Sequence, residues 1–480
     1  MNLKVCGLGS VVCGLFLSGC VQAPPPASLT ESWIPPGNSQ KPDAVLQELR
    51  AQSPDLTQPQ SLSAIADIAL QNNPATRKTW NDARAASEQV RYARGYFMPS
   101  LTAGVGVNRV TTSARPESFD QNNMSYGPSL QLSYLICNFG GGRSAAVEQA
   151  LQTVYAANFA FNRAIQDTLL NSEIAYYTVI SAQAGLEAAT TNALDAKVIL
   201  DAATTRRDAG LGVDLDVLQA QTAYDQSLYT LTGARGQLQI ARGLLAQAMG
   251  LLADNQISLA PPEAPLPASL SGENVRRLID EALARRPDLS ALRASLAARQ
   301  ASIRVARASR WPSLYGTASA TRDYYELYGL NNRASQSDDW AYTGGLSLKW
   351  NLFDGLQTLS TVRTAEAQTE ALRAQLKQAE LAASAEIWAR FQNYETALQK
   401  HQFSSQAMKS SFSAWEMALE SYKTGVKTIL DLLIAENQLS QARSQQIAAR
   451  QEVFTALANL AHATGIIEKG ETIFKGQQRQ

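Results

Sequence analysis

The chain has 480 residues, with 42 lysines and arginines against 42 aspartates and glutamates. This balance leaves no excess positive charge for nucleic acid, so no nucleic-acid partner is expected. Two histidines and four cysteines without a CxxC pair indicate neither a metal site nor a disulfide framework, and no nucleophile–base constellation of an enzyme stands out.

The first 19 residues predict a secretory signal peptide. Lys4 precedes a short apolar run over residues 5–17, and small residues follow that run. A positive start, a short apolar stretch and a small-residue end are typical of an exported precursor. Beyond this segment no window has the roughly 18 apolar residues that a spanning helix needs, so none is expected in the mature chain.

Residues 17–20, with the sequence LSGC, resemble a bacterial lipobox. The resemblance implies cleavage before Cys20 and a covalent lipid, such as palmitate, that tethers this residue to a leaflet. Val21 stands where an aspartate is linked to retention in the inner membrane, which favours the outer membrane. A plain signal peptide with a chance cysteine is the alternative. Residues 20–60, rich in proline and serine, predict a lipid-anchored tether.

Residues 61–250 predict a helix, two strands, a long helix, a turn and a return helix. Apolar and polar residues alternate at about 98–110 and 127–137, which is the period of strands with one apolar face. Residues 142–209 contain no proline and have apolar residues at three- and four-residue steps. This spacing predicts one helix of about 100 Å.

The same order of patterns returns after a proline-rich linker at 251–272. Corresponding prolines, phenylalanines and glycines lie 213 to 215 residues apart, as Pro74 and Pro287 or Gly210 and Gly425 do. A shift this constant indicates an internal duplication. The second copy is predicted at 273–466, with strands at about 311–321 and 342–352, a long helix at about 357–424, and a C-terminal tail at 467–480.

The four predicted strands have the length of tilted strands that cross a bilayer. Four strands cannot close around a channel, and open edges cannot face lipid, so several copies must share one barrel. The predicted fold is therefore mainly α with a membrane β-barrel, which the long helices continue as a tube. Aromatic residues flank the strands as a membrane girdle requires: Phe97, Tyr134, Trp311, Trp340, Tyr342 and Trp350.

Four sequence motifs carry a family resemblance. They are ALQNNP at 69–74 with its counterpart ALARRPDL at 282–289, AGLGVDLDVLQAQ at 209–221, LSLKWNLFDG at 346–355 and YKTGVKTILDLL at 422–433. Together and in this order they resemble the TolC family of outer-membrane export channels. The resemblance implies a homotrimer with a twelve-stranded β-barrel and a periplasmic α-helical barrel, without a cofactor. It also implies a periplasmic adaptor (membrane fusion) protein and an inner-membrane pump as partners.

The turns that follow the long helices are expected about 100 Å from the barrel, at the far mouth of the tube. By the resemblance, gate and selectivity residues are Asp431, Asp216, Tyr422 and Lys427. Lys427 replaces an arginine of the family, which removes a bidentate link. The resemblance assigns contact with the adaptor to the turns themselves: Gly210, Leu211, Gly212, Thr424, Gly425 and Val426.

Asp431 has two interpretations. Residues 428–431, TILD, fit a capping box, in which the carboxylate satisfies a helix-start N–H. Three copies of Asp431 around a narrow axis would instead attract cations. The two roles are compatible.

Function is expected to be that of a passive duct in a tripartite efflux or export system. An acylated Cys20 is a feature in which the chain resembles the OprM-like lipoprotein branch of the family. This resemblance favours small molecules such as drugs as cargo over proteins of a type I secretion system. A structural coiled-coil lipoprotein and a lipid-anchored envelope enzyme are the alternatives of other classes. Cys137 has no role that the sequence indicates.

Overall fold

The computed structural model describes residues 58–112, 121–255, 257–260, 273–328 and 334–465. These residues belong to one compact body, Leu56–Gln480. The predicted signal peptide, Cys20, nearly all of the tether and the C-terminal tail lie outside the described residues. Among the described helices, none combines the length and the apolar composition that crossing a bilayer requires.

The described residues form two runs of six elements that follow one another along the chain. We call them repeat 1 and repeat 2. Repeat 1 consists of α1 (Leu62–Asn72), α2 (Pro74–Gly95), β1 (Ser100–Thr112), β2 (Gln121–Asn138), α3 (Gly142–Asp208) and α4 (Asp214–Ala248). Repeat 2 consists of α5 (Glu273–Arg285), α6 (Pro287–Ala308), β3 (Ser313–Tyr328), β4 (Ala334–Lys349), α7 (Gln357–Lys423) and α8 (Ile429–Thr464).

The two long helices, α3 and α7, have 67 residues each. At 1.5 Å per residue each is about 100 Å long. Both start after a left-handed residue, Gly141 with φ 67° and Leu356 with φ 68°. The helices α3 and α4 form one helical hairpin, and α7 and α8 form the other. A glycine in the left-handed conformation follows each of these four helices: Gly210, Gly250, Gly425 and Gly465. Equivalent positions lie 215 residues apart, so the duplication is visible in the backbone.

The four strands form one antiparallel sheet in the order β1-β2-β3-β4. The pairings Leu101–Leu132, Leu132–Ala318 and Ala318–Gly344 place apolar residues of all four strands on one face. Large apolar side chains of that face are exposed, Val105 at 82%. An apolar face that extends over all four strands and is exposed in the single chain is expected to lie against lipid.

Three of the four strands, β2, β3 and β4, are longer than the sequence pattern predicts, and their predicted limits were wrong; β1 has the predicted length and is shifted by two residues. β2 begins at Gln121 rather than 127, and β4 runs from Ala334 to Lys349 rather than from 342 to 352. Alternation of apolar and polar residues marks only the part of a strand that has one apolar face. Backbone pairing continues through the polar residues beyond it, because the ladder does not require apolar side chains.

Two aromatic belts border the apolar face. One belt, at the end of the sheet far from the long helices and called the upper belt, contains two stacked pairs. Tyr126 stacks on Tyr324 at 5.4 Å, and Trp340 stacks on Tyr342 at 6.1 Å. Trp350, whose Nε1 donates to the Arg310 carbonyl at 3.1 Å, belongs to the lower belt. Ten residues separate Trp340 from Trp350, or roughly 34 Å of strand and about 24 Å of height at a 45° tilt. This height matches the apolar band of an outer-membrane barrel.

A bulge between Leu135 and Cys137 shifts the pairing of β2 with β3, which continues through Cys137 and Asn138. Arg143, in the first turn of α3, donates to the carbonyls of Leu135, Ile136 and Tyr96. The arginine thus satisfies carbonyls at the strand base and joins the sheet to α2 and α3. Cys137 is a free, partly buried cysteine in this bulge.

Candidate functional site

The two return turns, residues 209–213 and 424–428, lie side by side. An apolar cluster beside them combines residues from α3, α4, α7 and α8, including Ile199, Ala220, Tyr422 and Leu432. Each hairpin buries its apolar stripe against the other, so the ends of both repeats are packed together.

Arg206 fastens the two turns to each other. Its guanidinium donates to the carbonyls of Tyr422, of Lys423 at 3.4 Å and of Leu211 at 3.2 Å. These carbonyls follow or end long helices, where backbone acceptors lack helical partners and a cation is favourable. Arg206 therefore holds the end of α3 against the end of α7.

Sequence reasoning missed Arg206 as a functional residue. The equivalent position of repeat 2 is Ser421, so the contact is not duplicated. Two consecutive basic residues in the last turn of α3 were the available signal, and a helix dipole explains them equally well.

Tyr422 is 1% exposed, and its ring lies under the Arg206 guanidinium at 5.0 Å. Its hydroxyl is buried and has no hydrogen-bond partner among the described residues. Burial, followed by the charge of Asp216, raises the pKa of Tyr422. The structure thus brings Asp216 close to Tyr422 without a hydrogen bond between the side chains.

Asp431 caps α8. Its carboxylate accepts from the Thr428 N–H at 3.1 Å and from the Thr428 hydroxyl at 2.8 Å, and its own N–H donates to that hydroxyl. The Thr428 hydroxyl, more than any other group, lowers the pKa of Asp431. The predicted capping box is therefore present, while the carboxylate also stays partly open to solvent.

Lys427 contacts Asp431 rather than Tyr422 or Asp216. The distance from Lys427 Nζ to the Asp431 carboxylate is 3.8 Å, and both side chains are largely exposed. An exposed pair at this distance contributes little to stability. Of the four predicted gate residues, the structure therefore forms two neighbouring pairs, Tyr422 with Asp216 and Lys427 with Asp431.

The turns present apolar side chains to solvent. Leu211 is 71% exposed and Val426 is 78% exposed. Gly210 and Gly425 adopt φ of 72° and 82°. Glycine has no Cβ, so the chain reverses at these positions without a steric clash. The Thr424 hydroxyl donates to the carbonyl of Glu420 and is occupied within its helix end. Each turn is a short apolar knob on a fixed backbone.

The RRPDL part of the motif at 282–289 builds a buried ionic cluster. Arg286 is 4% exposed and donates to Asp288, to Glu386 at 2.8 Å and to the Ala463 carbonyl at 3.0 Å. Burial favours the neutral form of Asp288, but the bonds and charge of Arg286 outweigh it and lower the pKa of Asp288. The motif thus ties α6, α7 and α8 together and has a structural role.

No metal centre forms among the described residues, where no three His, Cys, Asp or Glu side chains converge. His462 Nε2 lies 2.6 Å from Asp167, and His401 lies in α7, away from it. The histidines are parts of separate helix contacts.

Comparison with known proteins agrees with this geometry. The model of a family described as "Outer membrane efflux protein" matches residues 65–251 and 278–466. Protein CyaE of Bordetella pertussis is 30% identical over 401 residues, which cover 83% of this chain and 82% of CyaE. Outer membrane protein TolC of Escherichia coli is 24% identical over 428 residues, covering 87% and 85%. The structure of outer membrane protein VceC from Vibrio cholerae superposes with a TM-score of 0.71 at 23% identity, covering 84% of this chain and 96% of VceC.

The duplicated strands and hairpins have the fold of outer-membrane channels in which a β-barrel continues into an α-helical barrel. The chain belongs to the outer membrane efflux protein family, the TolC family, as the motifs indicated. Members of this family are homotrimeric channels that work with an adaptor and an inner-membrane pump. The chain is accordingly the outer-membrane component of a tripartite efflux or export system.

Proposed function

We propose that this protein is a lipoprotein, acylated at Cys20, that gives small molecules a passive exit from an inner-membrane pump. The observation that carries the proposal is the pair of return turns, packed together about 100 Å of helix away from a lipid-facing sheet. One end suits a membrane and the other a partner in the periplasm. A structural coiled-coil lipoprotein would need the helices but not the exposed apolar sheet.

The order of the helices supports assembly of three chains into one tube. α3 contacts α4 and α8, and α8 contacts α7, so α4 and α7 are the outer helices of the four. Both carry exposed large apolar side chains, such as Tyr229 on α4 and Phe403 and Met417 on α7. We infer that α4 of one protomer packs against α7 of the next.

The packed turns form the periplasmic mouth in this proposal. Arg206 holds the two hairpins of one chain together, with the Tyr422 ring under its guanidinium and Asp216 nearby, and Lys427 lies beside Asp431. Three copies of Asp431 around the axis favour cations over anions. Opening requires the turns to separate, so it is resisted by the contacts of Arg206.

The knobs of the two turns suit contact with an adaptor protein. Leu211 and Val426 are exposed apolar side chains whose backbone is held in the turn, because the Leu211 N–H donates to the Arg206 carbonyl and the Val426 N–H to the Ser421 carbonyl, each at 2.9 Å. Gly212 sits against the end of α3, because a Cβ there would lie 3.1 Å from the Arg207 nitrogen. An apolar knob with so little freedom loses little entropy when it is buried by a partner.

The anchor is tested by labelling cells with radioactive palmitate. The Cys20→Ala variant should carry no label while the wild type does, and undiminished label on the variant would overturn the anchor. Cys137→Ala is the matched control and should keep the label.

The cargo is tested with a deletion strain. Loss of the protein should increase the accumulation of fluorescent dyes and the susceptibility to drugs, and the wild-type gene should reverse both. If susceptibility is unchanged while a protein disappears from the culture medium, the proposed cargo is wrong and type I secretion is the function.

A further inference from the structure

A cavity of about 320 Å³ lies between α3, α7 and α8, far from the return turns. Tyr177, in its wall, is 31 residues before the end of α3, or roughly 46 Å along the helix. The duct function uses none of the residues that line this cavity. Its volume falls at the small end of the range for small-molecule sites.

One wall of the cavity is flat and apolar. Tyr177 and Phe454 stack with their ring centroids 4.7 Å apart and their planes 10° from parallel. Ile180, Ala184 and Ile447 continue the apolar lining. The two rings cover each other's facing surfaces, so a planar aromatic ring fits in the cavity beside this stack and the aliphatic side chains, not between the two rings.

The other wall is polar and basic. His401 Nδ1 is buried and has no hydrogen-bond partner among the described residues. Arg450 also lines the cavity, and in the described part of the chain no carboxylate pairs with it. A buried nitrogen without a partner costs free energy, and an arginine fork matches the geometry of a carboxylate or sulfonate.

We propose that this cavity binds a small planar aromatic anion, an arene carboxylate or sulfonate. The ring lies against Tyr177 and Phe454, the anionic group pairs with Arg450, and His401 donates to it from Nδ1. The site joins helices of both repeats, so an occupant stabilises the packing of α3 against α7 and α8. The inference goes beyond the duct function and does not depend on it.

The test uses the detergent-purified full-length protein and 1-naphthoate as the probe, with binding measured by isothermal titration calorimetry. We expect saturable binding with one site per chain and a rise in the melting temperature with probe concentration. 1-Naphthamide, which has the same ring without the charge, should bind at least about tenfold more weakly, since the charge-assisted bonds are lost.

Two variants locate the site. Arg450→Gln should weaken naphthoate binding at least about tenfold, and Ala184→Leu should abolish it by occupying the space beside the Tyr177–Phe454 stack. Arg235→Gln, on the exposed surface of α4, is the control and should bind like the wild type. Mass in detergent and melting without probe establish that each variant is folded; should Arg450→Gln misfold, Ala184→Leu and the naphthamide comparison still decide.

The proposal is overturned if the wild type binds no naphthoate saturably. It is also overturned if folded Ala184→Leu or Arg450→Gln protein binds naphthoate as the wild type does, since the probe then occupies another site or the detergent.

Discussion

The guanidinium of Arg206 lies 5.0 Å above the ring of Tyr422 and donates to the backbone carbonyl of the same residue. The two residues are 216 positions apart, at the ends of the long helices of different repeats. One side chain therefore closes the gap between the two return turns of a single chain. In the proposed duct, this contact opposes opening of the mouth.

Replacing Arg206 should increase the resting conductance. A hydrogen bond from a charged donor contributes about 1.5–3 kcal/mol, so loss of one in Arg206→Gln should raise the open fraction about tenfold or more. Arg206→Lys should not restore the wild type, because an ammonium cannot span three carbonyls and stack on the ring. Single-channel recording in planar bilayers measures the change.

Arg207→Gln is the control for this experiment, since Arg207 pairs with its neighbour Asp208 on the exposed side. It should conduct like the wild type. Equal resting conductance in wild-type and Arg206→Gln channels would show that Arg206 does not hold the mouth.

Two variants should separate the roles of Asp431. Asp431→Asn removes the charge and should lower cation selectivity, seen as a reversal potential nearer zero in a KCl gradient. Thr428→Val removes the hydroxyl of the cap but keeps the carboxylate, so it should retain the selectivity at neutral pH. If both variants retain it, the acidic ring is refuted and Asp431 serves only as a cap.

The cap also sets the pH range of this selectivity. The bonds from Thr428 lower the pKa of Asp431, so the wild type should stay cation-selective below the usual range of carboxylates. Thr428→Val lacks the hydroxyl and should lose selectivity at a higher pH than the wild type. Reversal potentials measured over a pH series test this order, which would be contradicted by coincident curves.

Glu173 should make the protein less stable as pH rises. Burial raises its pKa to about 7 from 4.5, so the folded state holds a proton that the unfolded state has lost between these values. The part of the free energy of unfolding that depends on Glu173 is therefore largest below about pH 4.5 and falls as the pH rises to about 7. Glu173→Gln should melt higher than the wild type at pH 8, with the difference vanishing near pH 4.

The exposed Glu187 on the same helix gives the control. Glu187→Gln should leave the difference in melting temperature between pH 4 and pH 8 as it is in the wild type. A similar pH profile for wild type and Glu173→Gln would mean that Glu173 ionises without a penalty in the folded protein.

Leu356 holds a left-handed conformation with φ 68°, where repeat 1 has Gly141. This conformation costs a residue with a side chain about 1–2 kcal/mol. Glycine avoids that cost, but it loses up to about 1 kcal/mol more in chain entropy when the protein folds. Leu356→Gly should therefore stabilise the protein by roughly 0.5–1 kcal/mol in urea unfolding. Leu352→Gly, at an exposed leucine without positive φ, should destabilise it, and a loss of stability in Leu356→Gly would contradict the strain.

The sequence predicts the parts of this fold that have a local cause. Helical spacing without proline gives α3 and α7, and a four-residue window gives the Thr428–Asp431 cap. The limits of β2 and β4 escape prediction because the outer parts of these strands have no apolar period. The contacts of Arg206 with α7 and of Arg286 with α7 and α8 escape it, because these partners are a carboxylate or backbone carbonyls distant in the chain.

The central claim is that three chains form a conducting channel, and the most direct test combines two measurements on the detergent-purified protein. Its mass in detergent gives the number of chains, and a planar bilayer gives the single-channel conductance. The account predicts a trimer that conducts and prefers cations. A monomer that conducts no ions would contradict it and leave a coiled-coil lipoprotein as the better description.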